Sequence, residues 1–403
     1  MPKNAETGPD HPVVVCLEGD GIGVEVSPAA IDAIDAAVAG AYGGNRSIQW
    51  QPAAAGKKAF QELGTPLPEQ TLEAIRVAKV ALKGPLETPV GGGIRSLNVA
   101  LRQTLDLYAC VRPVRYFPGV VAPVKNPEDL DVVIFRENTE DVYAGIEWEQ
   151  GSPEAARVIE FLTGVMGASI SLDSGIGIKP MSVHGSKRLV RRAIGYALDN
   201  GRRSVTLVHK GNIMKFTEGA FRRWGYEVAA DEFSEQIITE AELLGTEHPP
   251  EHLGHAPPGT VVVKDRIADA MFQEILLHPA KYDVLALSNL NGDYISDAAA
   301  AQVGGLGMAP GGNIGDDCAV FEATHGTAPD IAGQGRANPS SLILSGAMLL
   351  RHLAWPEAAS RLEQALARVL AARRFTPDLA AAAPGSEVLD TGAFGRAVAA
   401  EAR

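Results

Sequence analysis

The chain has 403 residues, of which 46% are hydrophobic and 21% are charged, a composition typical of a globular protein with room for more than one domain. The net charge of -13 argues against a nucleic-acid-binding protein, which would present a basic surface. The three cysteines form no CxxC pair and no apolar run reaches the roughly 18 residues that a membrane span needs, so we expect a reduced, cytoplasmic protein without structural zinc or a membrane anchor.

Short apolar runs alternate with helical patterns along most of the chain, which predicts an α/β fold. The run Val13–Leu17 predicts the first strand, and the glycine-rich turn 18–23 separates it from a helical pattern that continues to Val38. The glycines of this turn do not have the spacing of the dinucleotide-binding fingerprint. Further strands are predicted at 77–82, 132–135, 204–209, 261–264 and 282–287, whereas 151–180 interrupts the alternation.

Polar and basic residues directly follow several of these predicted strands. Lys83, Arg136 and Lys210 each begin such a segment. Ligands in open α/β sheets bind beyond the carboxyl ends of the strands, so we expect the functional site along this edge.

Asp293 and Asp297 lie four residues apart at the start of a predicted helix. This spacing places both carboxylates on one helical face, where their mutual repulsion favours a bound cation. A hard divalent metal suits such oxygen ligands. The alternative is a helix N-terminus that is rich in aspartate because the helix dipole favours negative charge there.

A second group combines arginines with short polar side chains near three consecutive glycines at 91–93. Its members are Ser96, Asn98, Arg102, Arg112 and Arg136. Planar guanidinium groups, together with hydroxyl and amide donors, suit a small polycarboxylate. The alternative is that each arginine pairs with an acidic residue on the surface.

Two side chains and one loop are further candidates. Lys210 follows an apolar strand, where partial desolvation would lower its pKa, and Tyr143 carries a phenol that can transfer a proton. The alternatives are a surface lysine and a core tyrosine. The small-residue loop 325–330 is of the kind that lets a backbone approach a ligand, although such a loop is usually a turn.

Six motifs extend over most of the chain: LEGDGIG (17–23), KGPLETPVGGGIRSLNVALRQTLDLYACVRPVRY (83–116), FRENTEDVYAGIEW (135–148), VHKGNIMKFTEGAF (208–221), NLNGDYISD (289–297) and FEATHGTAPDIAGQ (321–334). Together they closely resemble bacterial homodimeric isocitrate dehydrogenases, within the isocitrate/isopropylmalate dehydrogenase family. The resemblance is weakest before Pro12, around 151–180 and 230–260, and after 355.

The resemblance implies an α/β fold of the isocitrate/isopropylmalate dehydrogenase type, without a Rossmann dinucleotide-binding domain. A large domain would comprise 1–107 and 304–403, and a small domain 108–140 and 183–303. The segment 141–182 would form a clasp that interlocks two subunits of a homodimer.

The resemblance also implies roles for individual residues. Tyr143 and Lys210 would be the proton-transfer pair, with Lys210 serving the site of the partner subunit. Asp293 and Asp297 would bind Mg²⁺ or Mn²⁺ together with Asp269 of the partner subunit. The carboxylates of isocitrate would be held by Ser96, Asn98, Arg102, Arg112 and Arg136.

The implied reaction is the oxidative decarboxylation of D-isocitrate to 2-oxoglutarate and CO₂ with reduction of a nicotinamide cofactor. In the metal site, Asp265 is the neighbouring and weaker candidate beside Asp269. The cofactor would contact Glu87, Thr88, His325, Gly326, Thr327, Ala328, Pro329, Asp330, Ile331 and Asn338.

The cofactor loop departs from the NADP-dependent pattern. Those enzymes carry Lys-Tyr directly after His-Gly-Thr-Ala-Pro, and a Tyr and an Arg near the C-terminus, which contact the adenosine 2′-phosphate. This chain has Asp330 and Ile331 after the motif and, if no gap intervenes, Pro377 and Ala381 at the later positions. Because a carboxylate accepts hydrogen bonds from ribose but repels a phosphate by on the order of 1 kcal/mol, we expect NAD rather than NADP.

Three alternatives to an NAD-dependent isocitrate dehydrogenase stay open. The first is the NADP-dependent enzyme. The second is a 3-isopropylmalate dehydrogenase, against which the polar Ser96 and Asn98 argue, because that substrate needs an apolar pocket. The third is a non-catalytic regulatory subunit, which usually lacks a metal aspartate or a proton-transfer group; this chain retains them.

Overall fold

The computed structural model describes residues 8–87, 96–245 and 259–403. Fifteen β-strands lie in these ranges: β1 Val13–Leu17, β2 Gln49–Pro52, β3 Val80–Lys83, β4 Ala109–Arg115, β5 Asp131–Glu137, β6 Glu147–Trp148, β7 Ile176–Gly177, β8 Ser204–His209, β9 Ile237–Thr239, β10 Val261–Ile267, β11 Val284–Leu287, β12 Pro310–Ile314, β13 Ala319–Ala323, β14 Arg374–Phe375 and β15 Glu387–Val388.

Fourteen α-helices lie in the same part of the chain: α1 Gly23–Tyr42, α2 Gly56–Leu63, α3 Glu69–Ala78, α4 Leu97–Thr104, α5 Pro153–Gly164, α6 Val183–Asp199, α7 Glu218–Phe233, α8 Glu240–Leu244, α9 Ala268–Leu277, α10 Asn289–Ala301, α11 Ser340–His352, α12 Pro356–Ala371, α13 Pro377–Ala381 and α14 Thr391–Ala402. None of these described helices combines the length and the apolarity needed to cross a membrane.

Eleven of the strands form one sheet in the order β2-β1-β3-β13-β12-β4-β5-β11-β8-β10-β9. Pairing is parallel except in the middle, where β12 runs antiparallel to β13 and β4, and β4 runs antiparallel to β5. Every residue of β8, β11 and β13 is buried, as expected for strands that are covered on both faces. The α/β fold class is therefore confirmed, with a sheet of mixed direction.

The hydrophobic side chains form several separate cores. The largest lies around α1, α11, α12 and α14, so that it joins the two ends of the chain. A second core lies between α6, α7 and the strands β5, β8, β10 and β11. Apolar burial of this extent supplies most of the favourable free energy of folding. The division into large and small domains at the predicted boundaries stays a prediction.

The strand predicted at 282–287 begins only at Val284, and two further local predictions differ from the structure. The strand predicted at 77–82 begins only at Val80, because α3 continues to Ala78 and ends at Lys79 in the left-handed conformation (φ 64°). The segment 151–180 contains a helix, α5, which Ser152 caps by accepting a hydrogen bond from the Ala155 amide. Phe161 is exposed on this helix, so the interruption of the alternation at 151–180 includes a helical element.

Lys264 on β10 is a buried cation in the sheet, only 1% exposed. Its Nζ donates a 2.7 Å hydrogen bond to the Lys281 carbonyl and lies 4.7 Å from the centroid of the Tyr282 ring. Burial, assisted by the positive charge of Arg266, lowers the pKa of Lys264 to about 8 from 10.5.

The pKa of Lys264 predicts a specific pH dependence of stability. Between pH 8 and 10.5 the unfolded chain binds more protons at this site than the folded chain, so the folded state gains stability as pH rises, by up to about 1 kcal/mol per pH unit. Lys264→Met removes this gain. Thermal unfolding at equal protein concentration should show wild type improving relative to the variant from pH 7.5 to 10. An unchanged difference, or the same trend in the exposed Lys58→Met control, would contradict it.

Candidate functional site

A polar cavity lies where the ends of β3 and β13 meet α4, with one lining residue from β4. Its lining consists of Lys83, Pro85, Leu86, Asn98, Arg102, Arg112, Glu322, Ala323, Thr324, His325 and Gly326. The cavity lies beyond the strand ends, where we expect ligands to bind, and its assignment as the functional site stays a prediction.

The three predicted substrate arginines are buried rather than paired on the surface. Arg102 donates to Glu322 at 2.9 Å, and Arg112 donates to Ser296 at 2.6 Å and to Asp297 at 3.2 Å. Arg136 donates from Nε to Asn289 at 2.9 Å and also pairs with Asp293. These contacts reject the surface-pair alternative for all three.

Several polar atoms beside the cavity have no hydrogen-bond partner among the described residues. They include the Nε atoms of Arg102 and Arg112 and Oδ1 of Asn98. Buried polar atoms are usually satisfied, so two unpaired guanidinium donors in one cavity indicate a place for an anionic ligand. Ser96 is exposed at the N-terminus of α4, where its side chain caps no backbone amide.

Lys83 and Glu322 both line the cavity, but the sequence predicts only Lys83, as a polar residue beyond its strand, and does not predict Glu322. They are paired residues on the neighbouring strands β3 and β13, and Lys83 Nζ lies 2.6 Å from Glu322 Oε2. Asn313 also bonds Glu322, at 2.5 Å. The charges of Lys83 and Arg102 hold the pKa of Glu322 well below its usual range, against the effect of burial. The sequence feature that could have indicated this residue is a carboxylate, Glu322, inside the apolar strand Ala319–Ala323.

The two predicted metal aspartates lie together on α10, as their spacing predicts. Burial raises the pKa of Asp297, and the nearby Asp293 adds to this effect, whereas the charge of Arg136 helps to hold the pKa of Asp293 below its usual range despite burial. A Cβ on Gly292 would lie 2.6 Å from Cβ of Arg136, so glycine permits the close approach of α10 to β5.

The donor set fits a hard divalent cation through Asp293 and Asp297. Both carboxylates supply oxygen ligands, and the Asp297 side chain is half exposed. No group of three or more metal-binding side chains occurs within residues 8–87, 96–245 and 259–403 of one chain. Asp269 does not join the other two; its exposed side chain pairs with Lys210.

Asp265, the weaker metal candidate, is already engaged by protein groups. It accepts a 2.8 Å hydrogen bond from Tyr226 and lies 3.0 Å from His209 and 2.9 Å from Arg222. These partners hold its pKa well below the usual range although burial opposes them. The carboxylate therefore has little capacity left for a metal.

The side chains of Tyr143 and Lys210 pair with different aspartates in the described chain. The Tyr143 hydroxyl donates to Asp293, and the Arg136 guanidinium lies 4.9 Å from its ring centroid. Burial, together with the hydrogen bond to Asp293, raises the pKa of Tyr143 to about 12, so the phenol stays protonated at neutral pH. Within the described ranges, Lys210 Nζ pairs with Asp269 rather than with Tyr143.

The loop His325–Ile331 is held by the glycine-rich turn near the N-terminus. The Ile22 amide donates to the Thr327 carbonyl at 2.9 Å, and a Cβ on Gly21 (φ 58°) would lie 2.2 Å from that oxygen. Asp20, in the same turn, also binds the segment after β3 by accepting a 2.8 Å hydrogen bond from the Glu87 amide. The turn is thus a scaffold for the predicted cofactor residues.

The structure describes the surroundings of most of the remaining predicted cofactor residues. Burial lowers the pKa of His325, whose Nε2 has no partner in the described structure. Asn338 is buried and bonds Asp378 at 3.1 Å and the Ser340 amide at 3.0 Å. Gly326, Ala328, Pro329 and Ile331 belong to the same loop, and Thr88 lies outside the described residues.

Several known proteins share this fold and much of this sequence. The crystal structure of isocitrate dehydrogenase from Methylococcus capsulatus matches 97% of the chain and 99% of its own length, with 39% identity and a TM-score of 0.80. "Isocitrate dehydrogenase [NADP]" of Pseudomonas aeruginosa (strain UCBPP-PA14) is 56% identical, over 98% of this chain and 94% of its own. The Streptococcus salivarius protein of the same name is 55% identical, over 96% and 94%.

These relatives correct the expectation of an NAD-dependent enzyme. The similar proteins carry NADP in their names, so the preference for NAD inferred from Asp330 and Ile331 is wrong. The physical reason lies in the geometry of the loop. Asp330 is exposed, and its carboxylate has no hydrogen bond or ion pair among the described residues, so it is a solvated and screened charge that does not by itself exclude a phosphate.

The exposed Arg336 follows in the same loop and adds a positive charge that has no ion-pair partner within the described ranges. The family model for isocitrate/isopropylmalate dehydrogenases matches residues 13–398, nearly the whole chain. The arginine cavity, the paired aspartates of α10 and the matched relatives agree with that model, and the chain belongs to the isocitrate/isopropylmalate dehydrogenase family.

Proposed function

We propose that the protein is an NADP-dependent isocitrate dehydrogenase that converts D-isocitrate to 2-oxoglutarate and CO₂ with the help of Mg²⁺ or Mn²⁺. The observation that carries the proposal is the placement of three buried arginines beside the two carboxylates of α10. A tricarboxylate and a divalent cation are complementary to that pair of charge clusters. The names of the relatives supply the substrate and the coenzyme.

The arginines would hold the substrate carboxylates. The Nε atoms of Arg102 and Arg112 have no hydrogen-bond partner among the described residues and are candidate donors. Arg112 and Arg136 pair with Asp293 and Asp297 in the described structure, and both guanidinium groups would become available to substrate if these carboxylates held a metal. Ser96 and Asn98 on the α4 side would add a hydroxyl and an amide.

When bound, a nicotinamide coenzyme would supply the hydride acceptor for the hydroxyl-bearing carbon, and a divalent metal would supply the Lewis acid for its oxygen. Asp293 and Asp297 would hold that metal, with Asp269 of the partner subunit. Tyr143 would supply the proton that completes the product after loss of CO₂, since its raised pKa keeps the phenol protonated. Lys210 would accept the proton that leaves the substrate hydroxyl.

The assignment of NADP is supported by the names of the relatives and by the charge of Arg336 in the loop after the predicted cofactor residues. A guanidinium is a suitable partner for a 2′-phosphate. Asp330 is the opposing charge in that loop, so it would weaken NADP binding without determining it.

A homodimer with shared sites is the proposed assembly. Phe161, Val165, Met166 and Leu172 are exposed apolar residues in the predicted clasp, which is consistent with a covered face. The positions of Lys210 and Asp269 also support a shared site. Within one chain these two side chains contact each other and do not contact the two aspartates of α10.

The coenzyme proposal is tested by initial rates with D-isocitrate and Mg²⁺ at constant ionic strength. We expect kcat/KM for NADP to exceed that for NAD by at least about tenfold, equivalent to one good charge interaction. Asp330→Asn should raise kcat/KM for NADP by about fivefold and leave NAD nearly unchanged, because it removes about 1 kcal/mol of repulsion. A higher kcat/KM for NAD would refute the assignment of NADP, and no rate with either coenzyme would refute the dehydrogenase.

The shared site is tested by mixing two inactive variants, Tyr143→Phe and Lys210→Met. Each alone should lose at least about 100-fold in kcat, since each lacks a proton-transfer group. After unfolding and refolding together, heterodimers would contain one intact site, and activity should return to roughly a quarter of wild type. Co-refolding each variant with itself is the control.

If both groups act within one chain, the mixture stays as inactive as its components. Sedimentation of the wild type should give about twice the mass of the chain. A monomer with full turnover would also contradict the proposed assembly.

A further inference from the structure

Lys179 lies at the centre of a buried ionic cluster beside the proposed proton-transfer groups. Its Nζ forms ion pairs with Asp141 and, at 2.9 Å, with Glu218. Asp141 is 1% exposed and Glu218 is fully buried. One ammonium therefore serves two carboxylates that have left water, an arrangement in which the loss of the cation leaves both uncompensated.

Glu218, the first residue of α7, connects two functional segments. Its Oε2 accepts hydrogen bonds from the Lys210 amide at 2.9 Å and from Asn291 Nδ2 at 2.8 Å, and its Oε1 accepts one from Ser288 at 2.8 Å. The backbone of Lys210 and the first turn of α10 are thus held by the same carboxylate. Asp293 lies two residues after Asn291 on that helix.

Asp141 holds the segment that carries Tyr143. It adopts a left-handed backbone conformation (φ 69°), which is unfavourable for a residue other than glycine. The carboxylate accepts hydrogen bonds from the Val142 amide at 2.7 Å and the Leu290 amide at 3.0 Å. The Asp141 amide donates to the Pro180 carbonyl at 2.9 Å, next to Lys179. Lys179 and its neighbours therefore stabilise a strained turn two residues before Tyr143.

We propose that Lys179 is a positioning residue for proton transfer: its ammonium bridges Asp141 and Glu218 and thereby fixes Tyr143, the backbone of Lys210 and the start of α10 in one arrangement. This inference rests on the proposed dehydrogenase function. Lys179 belongs to the predicted clasp, so the inference links the clasp to the segments that carry the proposed proton-transfer groups. A displacement of about 1 Å at reacting groups lowers turnover by about 100-fold, which is the scale expected here.

Lys179→Met is the principal variant and Lys187→Met is its matched control. Lys187 is also a partly buried lysine, with a single 2.8 Å ion pair to Glu227 on the α6–α7 surface. Lys179→Arg keeps the charge. The double variant Lys179→Met/Asp141→Asn lowers the number of unpaired buried carboxylates, so it shows whether kcat returns when stability returns.

Each protein is assayed with D-isocitrate, Mg²⁺ and saturating NADP, alongside thermal unfolding and calorimetric titration of isocitrate. We expect kcat of Lys179→Met to fall by about 100-fold while the isocitrate dissociation constant stays within about threefold. Lys179→Arg should recover much of the rate because it retains a cation between the carboxylates. The double variant should regain thermal stability and keep a low kcat.

Three results would overturn the inference. They are a kcat of Lys179→Met within about threefold of wild type, an equal loss in Lys187→Met, and a double variant that regains stability and kcat together. If Lys179→Met does not fold, the double variant carries the same test, because a kcat near wild type would reject a positioning role. A wild-type protein without turnover would instead refute the proposed function.

Discussion

The pairing of Lys83 with Glu322 is the interaction on which the site depends. Four cationic side chains line or adjoin one small cavity, and such a concentration of buried charge is stable only when carboxylates compensate it. Glu322 supplies a permanent negative charge from β13 and orients Arg102 through a second contact. The charges of Arg112 and Arg136 are instead compensated by Asp293 and Asp297, groups that a metal can take over.

Buried charges also compensate each other in a second cluster, around Lys179. There a single cation compensates Asp141 and Glu218, and these carboxylates hold the backbone of the segments that carry Tyr143 and Lys210. One ionic cluster thus shapes the binding cavity and the other organises the groups beside it. The first cluster depends on the mixed sheet, because the pairing of β3 with β13 brings together Lys83 and Glu322, which are far apart in the sequence.

The sequence predicts the placement of several of these residues because the relevant signs are local. The spacing of Asp293 and Asp297 sets them on one helical face, and both are found there on α10. The pairing of Lys83 with Glu322 could not be predicted in the same way, since it depends on the register between β3 and β13. The expectation of NAD was wrong because the weight of Asp330 depends on its exposure, which composition and spacing do not determine.

A crystal structure with D-isocitrate and Mg²⁺ is the most direct test of the proposed exchange of charge partners. We expect Asp293 and Asp297 to contact the metal, Arg112 and Arg136 to contact substrate carboxylates, and the Lys83–Glu322 pair to remain intact. Isocitrate bound elsewhere, with Arg136 still paired to Asp293, would contradict the assignment of the cavity as the substrate site.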